Sequence, residues 1–258
     1  MRLAYVASVR ITEAPTGSVS RVNPATLDAR PSPVPDGAPE AAPPAAEDVR
    51  EVKPRLRGVL HAAMALLVIA GGVALMLLSR GWPQWFASLV YMLCALQLFG
   101  FSAVYHLGSW PARPNRVMRQ IDHSNIFIFI AGTYTPAAVG LLHGASMIVL
   151  LALIWAVALA GVALGMLALR APRWLSAGLY VAMGWIAVGW LPSLWHAAGP
   201  AVPLLLMIGG VIYTLGAAVY AKRWPNPAPA WFGFHEVFHA CTVLAAVCQW
   251  VALALAVR

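Results

Sequence analysis

Acidic side chains are almost missing beyond residue 51. Of nine Asp and Glu residues in a chain of 258, seven lie between residues 1 and 51, and only Asp122 and Glu236 follow. Charge of either sign is scarce. It amounts to 10% of the chain, where a soluble domain carries about 25%. That deficit excludes a soluble enzyme as the leading reading. Cysteine is scarce too: Cys94, Cys241 and Cys248 all fall inside apolar runs. They form no metal-binding Cys-x-x-Cys motif and no disulfide framework, so they read as small packing residues. The opening MRLAYVASVR has no sustained apolar core after its arginines and does not read as a signal peptide. A stripe of Lys and Arg with interleaved aromatics is also absent. The net charge of +8 therefore does not predict a nucleic-acid partner.

What is present is apolar. Hydrophobic residues make up 61% of the chain, with 11 Trp, 21 Gly and 20 Pro. Residues 1–52 stand apart as a Pro/Ala-rich cytoplasmic tail, carrying the run PSPVPDGAPEAAPPAAED, and are expected to be disordered. Residues 53–258 hold apolar runs of membrane length. They cover Val59 to Leu78, Trp85 to Leu107, Asp122 to Leu142, Met147 to Leu169, Trp174 to Leu194, Ala201 to Tyr220 and Trp231 to Val257. Backbone polar groups in lipid must be satisfied within the segment, and in such runs that means helices. The expected fold is all-α, an integral membrane protein with seven transmembrane helices.

The basic residues predict its orientation. Lys53, Arg55 and Arg57 precede the first span; Arg113, Arg116 and Arg119 lie between the second and third. Arg170 and Arg173 separate the fourth from the fifth, and Lys222 and Arg223 the sixth from the seventh. The alternate loops hold only Arg80, with Arg258 at the end. The positive-inside rule puts the N-terminus in the cytoplasm and the C-terminus outside.

On that topology the polar residues gather at one depth. Ser102 and His106 end the second span, Asp122 and His123 begin the third, and His235, Glu236 and His239 begin the seventh. His61 lies just inside the first. His143 and His196 fall at the opposite boundary. Residues four apart share a helix face, so Ser102 pairs with His106 and His235 with His239. His235 and His239 can hold one metal ion, with His106 as a third ligand. Three nitrogens and an open fourth position match a catalytic zinc site. Asp122 is the best placed acid to hold or deprotonate a water at that position, which zinc activates near neutral pH.

Other readings compete at single positions. HEVFH fits the zincin pattern, in which Glu236 would be a peptidase base. Glu236 points about 100° around the helix from His235, so support of the ligands is the alternative. His61 and His123 read first as packing residues satisfied by a neighbour. Ser102 reads as a support for the site rather than a ligand. Gly161 and Gly165 in GVALG form a small-xxx-small helix contact, and TYTP from Thr133 to Pro136 marks a kink or packing site. Trp residues near span ends read as interface anchors.

SAVYH from Ser102, DHSNIFIFIAGTYTP from Asp122 and HEVFH from His235 resemble the haemolysin III family. That family is related to the progestin and adipoQ receptors, which include the adiponectin receptors. RGVLH from Arg57 resembles its first span and LYVAMGW from Leu179 its fifth. The resemblance runs from about Pro54 to Val257. It implies a zinc ion on His106, His235 and His239, with Ser102 and Asp122 beside the zinc water. It also implies a bacterial inner-membrane location and a membrane-lipid substrate or ligand. Related receptors resemble hydrolases of ceramide-like amides, so the leading expectation is a zinc-dependent lipid amidohydrolase. A receptor-like or regulatory protein with structural zinc is the second. A haemolysin-like pore is the third, and the few ionisable groups in the outer halves of the spans weigh against it.

Overall fold

The computed structural model describes residues 54–167 and 172–258. The tail expected over residues 1–52 lies outside them. Among the described residues the regular structure is helical: α1 (Val59–Leu78), α2 (Trp82–Leu107), α3 (Ala112–Leu141), α4 (Gly144–Leu167), α5 (Arg173–Gly184), a 3-10 segment (Trp185–Trp190), α6 (Leu191–Ala198), α7 (Ala201–Lys222) and α8 (Phe234–Ala256). Taken together, α5, the 3-10 segment and α6 make one span, giving seven helical spans long and apolar enough to cross a membrane. Large apolar side chains such as Leu66, Leu77, Ile148 and Leu215 are exposed on the outer surfaces, as lipid-facing positions require. The chain is an integral membrane protein with an all-α fold.

The third span is the inner one. α3 packs against α2, α4, α5, α6 and α8, and it buries Phe127, Phe129 and Ala131. It begins at Ala112, ten residues before the expected Asp122. Hydropathy ends where Arg113, Arg116 and Arg119 begin, but the helix ladder continues past the apolar boundary. Pro114 falls in the first turn, where its missing N–H costs no hydrogen bond. Apolar side chains gain little from association in lipid, so close fit holds such bundles together. Gly161 of α4 faces Phe127 and Gly165 faces Ser124 of α3 at distances that leave no room for a Cβ without rearrangement. This is the small-residue contact read from GVALG. The three cysteines are free, and Cys94 is buried against Gly132.

The fifth span departs from the expected continuous helix. Gly184, Gly189 and Pro192 weaken the α-ladder there, and the chain tightens into the 3-10 turn. The segment TYTP serves this break. Tyr134 Oη donates to the Gly184 carbonyl at 2.7 Å and accepts from the Ala187 N–H at 2.8 Å. Trp185 donates to Thr214 Oγ1 and Trp190 to Ser146 Oγ, both at 3.0 Å. These tryptophans are thus interhelical donors, whereas Trp82, Trp174 and Trp224 are exposed near span ends as anchors would be. Pro136 lies inside α3, and the Thr133 and Thr135 hydroxyls bond back to the Phe129 and Ala131 carbonyls.

Tyr134→Phe removes the hydroxyl that satisfies the broken span and leaves polar backbone without it in an apolar layer. The expected loss is about 1–3 kcal/mol, read as a lowered midpoint of thermal unfolding in detergent with helix content unchanged.

Candidate metal centre

The start of α8 is built by its neighbours. Pro225, Pro227 and Pro229 keep the preceding loop from being helical. Gly233 then caps α8, and its N–H donates to Glu236 Oε2 at 2.8 Å. Asn226 Oδ1 accepts from the Phe234 N–H at 2.8 Å. The other Glu236 oxygen accepts from Arg57 Nε, just before α1. The chain leading to α1 also pairs with this loop: Arg55 N–H donates to the Ala230 carbonyl at 3.1 Å and Leu56 N–H to the Trp231 carbonyl at 3.2 Å. The Arg55 guanidinium lies 4.5 Å above the Trp231 ring, a favourable cation–π distance. At Gly58, with φ of 86°, a Cβ would stand 2.9 Å from His106 Cβ. Glycine there lets α1 begin against the last turn of α2.

These contacts bring three imidazoles together. His106, His235 and His239 are buried, and one ring nitrogen from each lies within 4.8 Å of the others. His106 Nε2 and His235 Nε2 are 3.1 Å apart. Two nitrogens of a tetrahedral zinc site with bonds of about 2.05 Å would stand roughly 3.3 Å apart. The donor set is three imidazoles, which suits zinc. The cluster therefore fits a metal ion in both spacing and donor type.

Asp122 lies beside it. Its Oδ2 is 3.7 Å from His106 Nε2 and 3.9 Å from His123 Nδ1, and Ser102 lines the same cavity as Asp122. The structure thus brings all five expected site residues to one place. His123 is occupied elsewhere. Its Nδ1 donates to the Arg119 carbonyl at 2.7 Å, and its Nε2 pairs with Tyr220 Oη at 2.8 Å. That supports the packing role read for it. Glu236 has both oxygens engaged and is 1% exposed, so it holds the start of α8 and is not placed as a zincin base. His143 and His196 stand outside the cluster.

Sequence reasoning missed one feature of the site. Gln97 Nε2 donates to Asn125 Oδ1 at 2.9 Å, and Asn125 Nδ2 to the Gln97 carbonyl at 3.3 Å. This clamp joins α2 to α3 within two turns of Ser102 and Asp122. Two amides inside apolar spans were its only signal. The bundle also holds a largely apolar cavity, as a lipid substrate or ligand would require. Asp122, Ser102 and His235 stand at one end, and its walls continue past Phe129 and Tyr213 to Leu194. On α8 its lining runs from His235 to Gln249, about 21 Å at a rise of ~1.5 Å per residue.

The sequence profile described as "Haemolysin-III related" matches residues 49–250. The Hemolysin-3 homolog of Bacillus subtilis (strain 168) is 34% identical over 119 residues, covering 46% of this chain and 56% of that protein. Hemolysin-3 of Bacillus cereus is 31% identical over 131 residues, covering 51% and 59% respectively. The matched segments thus span a little over half the length of these relatives.

Metal analysis of the purified protein by mass spectrometry checks the centre. Wild type is expected to carry about one zinc per chain. The double variant His235→Ala, His239→Ala is expected to lose it, since a single remaining imidazole cannot hold the ion.

Proposed function

The chain belongs to the haemolysin-III-related family, and on that premise we propose a metal-dependent hydrolase of lipid amide bonds, with a ceramide-like N-acyl lipid as substrate. One observation carries the proposal: three convergent imidazoles and a buried carboxylate stand at the head of a long apolar cavity. Catalysis and acyl-chain binding would share one wall. The kinship of the family with the progestin and adipoQ receptors, carried by SAVYH, DHSNIFIFIAGTYTP and HEVFH, supports the same reading.

His106, His235 and His239 would hold zinc. When bound, zinc supplies a Lewis acid for a carbonyl and makes a water acidic near neutral pH. The chain's own residues do the rest. Asp122, whose Oδ2 stands 3.7 Å from His106 Nε2, would take the proton of the attacking water and deliver it to the leaving amine. Ser102, which lines the cavity with Asp122, would support that carboxylate. The apolar wall past Phe129 excludes water from the acyl chain and aligns the scissile bond with the carboxylate.

The charges support an orientation. Arg57, Arg119 and Arg223 stand at the end of the bundle where the imidazoles gather. Arg80 and Arg258 line a pocket at the other end, with Leu141 and Ala198. We place the imidazole end at the cytoplasmic side of a bacterial inner membrane, with the C-terminus outside.

Two measurements test this. Purified, zinc-loaded protein in nanodiscs is expected to cleave N-acyl lipids. Asp122→Asn is expected to slow turnover roughly a hundred- to ten-thousand-fold while keeping its metal. Absence of turnover, or an unchanged rate in the variant, overturns the hydrolase. For orientation, a C-terminal alkaline phosphatase fusion is expected to be active and a C-terminal green fluorescent protein fusion dark. The reverse pattern inverts the topology.

A further inference from the structure

Arg173 differs from the other cations at the imidazole end. Arg113, Arg116, Lys222 and Arg223 are exposed, as the positive-inside rule leaves them in water or among lipid heads. Arg173 is half-buried, at the first residue of α5. Its guanidinium stands 5.7 Å from the centre of the Tyr220 ring, near the outer limit of a cation–π contact. One of its nitrogens, Nη1, is closed off from solvent and has no hydrogen-bond partner. No acid pairs with the side chain. The acids among the described residues are Asp122 and Glu236. Glu236 is taken by Arg57, and Asp122 faces His106 and His123. A charge partly removed from water and left without a counter-charge is costly.

That charge stands one side chain away from the cavity. Tyr220, against which it packs, is part of the lining, and its ring lies 6.0 Å from that of His235. On the fifth span the lining begins at Ala177, one turn after Arg173, and runs from there to Leu194. Arg173 therefore lies beyond the imidazole end, away from the apolar walls. An amide set against Asp122 and the three imidazoles sends its acyl chain along those walls. Its amine side then points the other way, to where Tyr220 and Arg173 stand. A charge in a surrounding of low dielectric acts over several ångströms. The closed nitrogen therefore does not have to touch a ligand for the guanidinium to select one.

We propose that Arg173 selects a negatively charged head on the amine side of an N-acyl lipid bound in this cavity. The inference rests on the amide reading given above and adds the charge of the head group. An uncharged head leaves the guanidinium as it is, half-buried against an aromatic ring. An anionic head supplies the counter-charge that the chain lacks, and a carboxylate or phosphate also matches the planar fork of guanidinium donors. Complementary charge of this kind discriminates between ligands that share one acyl chain. Arg173 is thus a specificity residue outside the metal triad. The class it selects is an acylated amine that carries an anion, of which an N-acyl amino acid is the simplest.

Two nearly isosteric probes test it: N-dodecanoylglycine, an anion at pH 7.5, and its neutral counterpart N-dodecanoylglycinamide. Equilibrium binding is measured on the full, metal-containing chain in zwitterionic nanodiscs, with intact ligand counted by mass spectrometry and empty nanodiscs subtracted. Wild type is expected to prefer the anion by roughly three- to thirty-fold, between the worth of an exposed ion pair and that of a hydrogen bond to a charged group. Arg173→Gln is expected to abolish the preference, keep its metal and bind the neutral amide as wild type does. Arg173→Lys is expected to restore part of it. Arg113→Gln, which removes the same charge from an exposed position at the same end, is expected to leave it unchanged. N-acetylglycine, the same head without the chain, is expected not to compete at matched concentration. Equal binding of the two probes by wild type overturns the proposal and leaves the amide reading standing. A preference that survives Arg173→Gln overturns it by assigning the carboxylate to the metal. An equal loss in Arg113→Gln overturns it by making the effect one of general surface charge. Competition by N-acetylglycine overturns it by detaching the anion site from the cavity. Loss of metal in Arg173→Gln and Arg173→Lys alike overturns it by making the side chain a support of the triad. Binding of neither probe by wild type sinks the amide reading, and this inference with it.

Discussion

The carboxylate of Glu236 ties together the parts on which the site depends. It lies at 1% exposure in a bundle whose described residues hold one other acid, Asp122. A buried charge of that kind must be paired and hydrogen-bonded to persist. One oxygen takes the Gly233 N–H and so starts α8. The other takes Arg57 and so draws the beginning of α1 to the same point. Removing either partner would leave a charge in an apolar layer, so the first turns of α1 and α8 are coupled. His61 rides on one of them and His235 and His239 on the other. The stacking of His61 on His239 follows from that coupling.

The rest of the centre is assembled from the inner helix. α3 carries Asp122, and the Gln97–Asn125 clamp ties it to α2, which carries Ser102 and His106. His123 is turned aside by the Arg119 carbonyl and Tyr220. The two neighbours Asp122 and His123 therefore have different tasks, one facing the imidazoles and the other fastening α3 to α7. The same helix repairs the broken fifth span through Tyr134. An irregular backbone inside a membrane needs such partners, since lipid offers none. The segment DHSNIFIFIAGTYTP thus serves the site at its first residues and the scaffold at its last.

The cavity gives these groups a common purpose. The acid and imidazole groups stand at one end, and the remaining walls are largely apolar. That polarity gradient matches an amphiphile lying along the helices with its head at the imidazoles.

Much of this was legible in the sequence because the bilayer imposes simple rules. Apolar run length set the seven spans, and helical spacing put His235 beside His239. A shared depth then brought His106 and Asp122 to the same end. The family resemblance pointed to the same three imidazoles as the spacing did. Periodicity and depth could not show which rotamer each polar group takes or what it meets across the bundle. The early start of α3, the break in the fifth span and the Gln97–Asn125 clamp all lay beyond such rules. So did the engagement of Glu236 by Arg57, 179 residues away in sequence. These features depend on contacts between helices distant in the chain. In lipid those contacts are set by close packing and by the need to pair every polar group. Only the assembled tertiary structure decides them.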